Sequence, residues 1–157
     1  MACFLRVIGD SLDPDECAAL FSIEPDSRWR KDEPHGKPWA RRRYRTSGLQ
    51  FLVSTHDGDF VPLQIEDALA FMRAHHEELR AVTRRPDVEE AFLDFSWSIA
   101  ISRFAQSFRI PPELAALCGA NGVGIDFSVY PCEDYVQDYF SESDDVDGTD
   151  GEVDNEP

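Results

Sequence analysis

Residues Ala91 to Ile101 read Ala-Phe-Leu-Asp-Phe-Ser-Trp-Ser-Ile-Ala-Ile, a strict two-residue alternation. A pleated strand sends successive side chains to opposite faces. Leu93, Phe95, Trp97, Ile99 and Ile101 therefore share one face, and Asp94, Ser96, Ser98 and Ala100 the other. Ile125 to Tyr130 repeats the pattern, with Ile125, Phe127 and Val129 against Asp126, Ser128 and Tyr130. The two stretches are expected to share a sheet. In matched register they would set Asp94, Ser96, Ser98, Asp126, Ser128 and Tyr130 on one small, polar face.

The remaining chain supplies elements around this pair. Phe4 to Ile8 reads as a short strand ending at Gly9-Asp10. Asp13 is placed as an N-cap, Pro14 as the first helical residue and Glu16 as the far side of a capping box. That helix presents Cys17, Leu20 and Phe21 as a narrow apolar stripe. Ile23 to Pro38 is aperiodic and reads as a loop. Trp39 to Thr46 reads as a charged edge strand, turning at Ser47-Gly48 into a strand over Leu49 to Thr55. Ile65, Leu69, Met72, His76 and Leu79 recur at helical spacing and predict one long helix over Leu63 to Thr83. Arg103 to Ile110 reads as a short strand or extended segment. Pro111-Pro112-Glu113 opens a last helix, which Gly119 to Gly122 stops. The pattern predicts an α+β fold of ferredoxin-like type. It is a two-layer sandwich, β-α-β-β-α-β followed by a segment, a short helix and a final strand, in which a mixed or antiparallel sheet carries helices on one face.

Charge changes where the domain is expected to end. The chain has 157 residues and a net charge of −16, but residues 133–157 hold 11 of its 31 acids and none of its 15 Lys and Arg. The remainder carries 20 acids against 15 bases, a net −5. A single domain is expected over 1–132, with a disordered acidic tail over 133–157. The acidity opposes binding to nucleic acid and acidic membranes and favours a basic protein partner. The tail has three readings: a solubilising extension, a lure for a basic partner, or a cover that folds back on the basic segment 28–45. That segment holds eight of the fifteen bases, interleaved with Trp29, Trp39 and Tyr44.

Cys3, Cys17, Cys118 and Cys132 show no paired spacing, no charged and apolar leader opens the sequence, and no run approaches a membrane span. A reduced, cytoplasmic protein is the expectation. His75 and His76 are adjacent and point about a quarter-turn apart, so they do not form a chelating pair, and no metal or cofactor is expected. Oligomeric state is left open.

Two kinds of chemistry fit the polar face. Asp94 and Asp126 as neighbours would make an acid and base pair, because close carboxylates push their pKa values apart. No nucleophile-base pair or phosphate loop accompanies them, so no catalytic residue is assigned. A binding surface fits better. Asp94, Ser96, Ser98, Asp126, Ser128 and Tyr130 would form it, Arg41, Arg43 and Tyr44 would flank it, and Trp29 and Trp39 would be its anchors.

Three pieces of sequence carry a family resemblance: Gly9-Asp10-Ser11-Leu12-Asp13-Pro14 with Ile23-Glu24-Pro25 and Trp29-Arg30-Lys31; Phe108-Arg109-Ile110-Pro111-Pro112-Glu113-Leu114; and Gly124-Ile125-Asp126-Phe127-Ser128-Val129-Tyr130. Together, over about Cys3 to Tyr130, the chain resembles the bacterial domain-of-unknown-function 4279 family. Members often carry Gly after the Lys, where this chain has Asp32. The resemblance implies a bacterial α+β domain, and some relatives look like immunity proteins beside toxin genes; it transfers no catalytic residue. The expectation is a non-enzymatic binding protein of immunity type that occludes a basic toxin or effector. A small-molecule or regulatory binding domain is the alternative, and a hydrolytic enzyme using Asp94 and Asp126 the third reading.

Overall fold

The computed structural model describes residues 2–36, 41–100 and 105–132. The elements run β1 (Cys3–Gly9), α1 (Pro14–Ala18), β2 (Ser27–Trp29), β3 (Ser47–Ser54), α2 (Val61–Ala74), α3 (His76–Thr83), β4 (Glu90–Ala100), α4 (Pro112–Asn121) and β5 (Gly124–Cys132). The strands form one five-stranded sheet in the order β2-β3-β1-β4-β5. β1 pairs antiparallel with β3 and β4, and β2 antiparallel with β3, whereas β4 and β5 are parallel. The sheet is mixed and the fold α+β. Its first four strands have the order of a split β-α-β-β-α-β unit. The fifth is added through α4, because a parallel neighbour needs a crossover.

Alternation decides which face is covered. Cys3, Leu5 and Val7 of β1 sit across from Phe95, Leu93 and Ala91 of β4, and Leu5 and Val7 also face Phe51 and Leu49 of β3. All are buried, in one core with Ala68, Met72, Leu79, Val82, Leu114 and Cys118 of the helices. Burying a side chain of this size stabilises by about 1.5–3 kcal/mol relative to exposure. At α1, the Asp13 carboxylate accepts from the N–H groups of Asp15 and Glu16 as a cap. Glu16 does not close the expected box but faces Arg85, 3.4 Å away. Leu20 leaves the expected stripe and is exposed, whereas Phe21 packs on Phe51 with ring centroids 4.3 Å apart.

Three expectations change. The long helix is two, because His75 bends the backbone (φ −112°, ψ 17°) where its ring packs on Phe71 and its Nδ1 lies 2.7 Å from Glu78 Oε2. The bonds His75 N to Phe71 O and Leu79 N to His75 O cross the bend, so both helices still reach the core. The edge strand is Ser27–Trp29, within the expected loop, and not Trp39 to Thr46. Of that expected strand, Trp39 and Ala40 lie outside the described residues, and Arg43 makes only an isolated bridge with Pro34. Ser47 and Gly48 are therefore no hairpin turn; they begin β3, opposite Gly9 and Ile8. α4 ends as its glycines predict, with Gly122 in the left-handed region (φ 68°) and Val123 N donating to Cys118 O. Residues 105–110 carry no strand. The tail from Glu133 lies outside the described residues. No helix among the described residues is long and apolar enough to cross a membrane.

Candidate functional site

The sheet face turned away from the helices is built from the alternate residues the core leaves out. β1 contributes Phe4, Arg6 and Ile8, β4 Glu90 to Ser98 in steps of two, and β5 Asp126, Ser128 and Tyr130. The parallel register pairs Asp94 with Asp126, Ser96 with Ser128 and Ser98 with Tyr130, so all six expected residues stand side by side.

They do not form one open surface. Asp94 and Ser98 are buried, at 6% and 4% exposure, and Ser96 and Ser128 are half-buried. Asp126 and Tyr130 on the edge strand are exposed. Asp94 is held by both oxygens: Ser128 Oγ donates to Oδ1 at 2.9 Å, and Arg6 Nη2 lies 3.0 Å from Oδ2. Its partners are thus a hydroxyl and a guanidinium. Arg6 was not singled out by sequence reasoning, although it is the one charge in an otherwise apolar strand, on the same parity as Phe4 and Ile8. Ser98 is covered by the loop before α2: Ser98 N donates to Gly58 O at 3.1 Å, and a Cβ on Gly58 would stand 2.8 Å from both Ser98 Oγ and Ser96 O. Only glycine permits that approach.

Beside the exposed half lies a recess of about 320 Å³ where β4 and β5 begin, lined by Glu89, Glu90, Phe92, Asp126 and Thr83 among others. Three carboxylates border it, and Tyr130 stands further along β5. At the opposite edge, Trp29 lies across Gly48, where an added Cβ would meet its ring at 2.5 Å. Tyr44 stacks on Trp29 with centroids 5.4 Å apart and 22° between planes, and His35 leans on Tyr44 at 4.7 Å. Trp29 is half-buried, so it is both a cover for the end of the sheet and part of the surface. It stands on the opposite edge strand from Tyr130 and toward the opposite end of the sheet, level with Glu90 of β4 where Tyr130 is level with Ser98.

The basic segment divides into two groups. Arg28 is paired with Asp15 and Glu24, Arg30 with Asp13 and Asp15, and Lys31 with Asp10. The Arg30 side chain and the N–H groups of Asp15 and Glu16 hold the Asp13 carboxyl below its ordinary value. Arg43 Nη1 donates to Asp32 O, while Arg41, Arg42 and Arg45 are exposed. Arg41, Arg43 and Tyr44 therefore lie beyond β2, at the rim of the sheet and not on it.

A second concavity, about 340 Å³, is apolar and lies on the helix side of β5, lined by Trp97, Phe108, Ile110, Phe127 and Val129. Phe127 and Val129 are about half exposed there. No group of three or more His, Cys, Asp or Glu among the described residues is placed to hold a metal ion. Burial pushes the thiols of Cys17 and Cys118 up to about 11, and that of Cys3 further in the same direction.

Comparison with known proteins finds a family whose description reads domain of unknown function (DUF4279), matched over residues 1–131. No curated protein and no solved structure matches the chain.

Proposed function

This chain belongs to the DUF4279 family, and from that premise we propose that it is a non-enzymatic binding protein of the bacterial cytoplasm, of immunity type, whose exposed β4–β5 surface occludes a basic toxin or effector. The observation that carries the reading is the acidic recess of Glu89, Glu90 and Asp126, lined also by half-buried Phe92, on the edge strand that carries exposed Tyr130 further along. Its size admits an arginine or lysine side chain, to which exposed carboxylates next to an aromatic ring offer both an ion pair and apolar contact. The mechanism is substitution: carboxylates on the sheet take the place of the partner's polyanionic substrate and steer its approach. Asp94 serves as support beneath this surface, since Arg6 and Ser128 hold both of its oxygens. That arrangement favours binding over hydrolysis by an Asp94 and Asp126 pair.

The test is calorimetric titration of the basic protein retained from native lysate at low salt. Asp126→Lys combined with Tyr130→Ala should weaken it by about 2 kcal/mol, roughly 30-fold in Kd, with an unchanged melting temperature. Unaltered affinity in that variant would remove the surface from the interface. The alternative reading, a small-molecule domain, is favoured by the apolar concavity at Trp97 and Phe127. It predicts a thermal shift with an apolar metabolite, abolished by Val129→Asp.

A further inference from the structure

We propose that the outer edge of β5 is an interface between two copies of this chain, joined antiparallel through Ile125 to Pro131 about a two-fold axis at Phe127. β5 ends the sheet, and among the described residues no strand lies beyond it. Hydrogen-bond parity decides which of its backbone groups are left over. Ser96 N donates to Ala2 O and Ser98 N to Gly58 O, so the even-numbered residues of β4 bond toward β1 and the odd-numbered ones toward β5. In a parallel ladder a residue bonds to the two neighbours of its partner. Phe95, level with Phe127, therefore bonds to Asp126 and Ser128, and the N–H and C=O groups of Ile125, Phe127 and Val129 point out of the sheet. Pro131 has the same parity, and its missing N–H falls on the outer side, where a strand tolerates proline. No lysine or bulge blunts this edge.

The strand's own sequence specifies the occupant. With Phe127 on the axis, Phe127 faces Phe127 of the second copy and Ile125 faces its Val129, so each outward N–H of these residues meets a carbonyl. Asp126 stands opposite Ser128. Moving the axis by one residue in either direction spoils the pairing. An axis at Asp126 sets two carboxylates directly against each other, and an axis at Ser128 puts Pro131 opposite Ile125, whose carbonyl then has no donor.

Packing agrees with the backbone. Phe127 and Val129 are about half exposed, in the apolar concavity that they line with Trp97, Phe108 and Ile110. A second copy brings its own Phe127 and Ile125 beside them, covering apolar surface that one copy leaves in water. Among the described residues the helix layer leaves room for this approach. α4 directs Glu113 to Arg73 of α2, and its opposite flank carries Ala115 and Gly119, both exposed; a Cβ on Gly119 would meet nothing within 4 Å. An edge about 24 Å long and two layers, about 20 Å, deep offers about 500 Å² per copy, or about 1,000 Å² in all, the lower end for a specific complex. The dimer is thus weak and concentration-dependent. Its axis is normal to the sheet, so the faces carrying Asp126 and Tyr130 stay open and lie on the same side of the pair.

Sedimentation equilibrium of the full chain at about 5 µM and about 200 µM, in about 100 mM and about 500 mM salt, tests this. The mass should rise with concentration from one chain toward two. Because each chain carries −16, salt should strengthen the association, the reverse of its effect on a basic partner. Val129→Pro removes an outward N–H without touching the β4 ladder, and should stay at one chain throughout while folded by circular dichroism. Val129→Lys replaces it if the proline variant does not fold. Cys132 is the one cysteine of the four that is not buried, so a nitroxide label is directed to it. Two labels in the pair should lie about 35 Å apart, about ten residues along the edge. A single-chain mass at the higher concentration in both salts, a Val129 variant that pairs like wild type, or a label separation outside about 30–40 Å overturns the proposal.

Discussion

Gln64 shows how one polar side chain can hold several elements. It is fully buried in α2, its Nε2 donates to His56 O at 2.8 Å and Ser96 O at 3.3 Å, and its Oε1 accepts from Trp97 Nε1 at 3.1 Å. These bonds tie the loop before α2 to the middle of β4, where Trp97 packs against Phe127 and Phe108. Gln64→Ala leaves two carbonyls and an indole N–H without partners, each costing about 1–3 kcal/mol. Denaturant unfolding should show a loss of about 2–4 kcal/mol, with the tryptophan emission shifted; a change below 0.5 kcal/mol would mean that water replaces the amide. Nothing in the sequence marks Gln64, which sits on the apolar stripe beside Ile65. A glutamine on a helix is ordinarily a surface residue, and only the meeting of three elements makes it an interior one.

At the scale of elements, alternation and helical periodicity were enough for β1, β4, β5 and α4, and for the pairing of the two polar strands. They were insufficient where tertiary context overrides local pattern. β2 has three residues, too short to show a period, and its strand geometry is fixed by β3 beside it. The arginines after Trp39 alternate like a strand, yet their loop is closed by Asp32, which stands in the left-handed region at φ 67°. A glycine at this position adopts that conformation without strain. Asp32→Gly should therefore raise stability by up to about 1 kcal/mol and Asp32→Val should lower it, as thermal melts would read; the reverse order would place the strain elsewhere. The polar site was legible as a set of residues but not as a surface. Parity placed Asp94 and Ser98 on the correct face, but burial by Gly58 and pairing with Arg6 depend on β1 and on a loop distant in sequence.

For the whole molecule, the carboxylates of the folded body set the response to acid. Arg85 lies across the end of α3, and its hydrogen bonds to Asp87 hold that carboxyl below its ordinary value. A carboxyl with a lowered folded pKa stabilises the fold fully above the ordinary Asp value near ~3.9, and the contribution disappears as pH falls through the lowered one. Melting temperature should thus hold steady down to about pH 4 and fall below it. Asp87→Asn should lower the plateau and flatten the fall; parallel curves for the two proteins would assign the acid limb to other groups.

The parallel union of β4 and β5 bears also on inheritance. On β1, β4 and β5 the outward-facing positions are the even-numbered ones, and on β5 they are Asp126, Ser128 and Tyr130, while Ile125, Phe127 and Val129 turn to the helix side. Loss or gain of a single codon between Gly122 and Gly124 would exchange the two sets, carrying phenylalanine and valine outward and the carboxylate inward. Drift in length is closed to this strand. A lineage can re-address its surface only by replacing letters at every second position, leaving the intervening ones as a fixed frame.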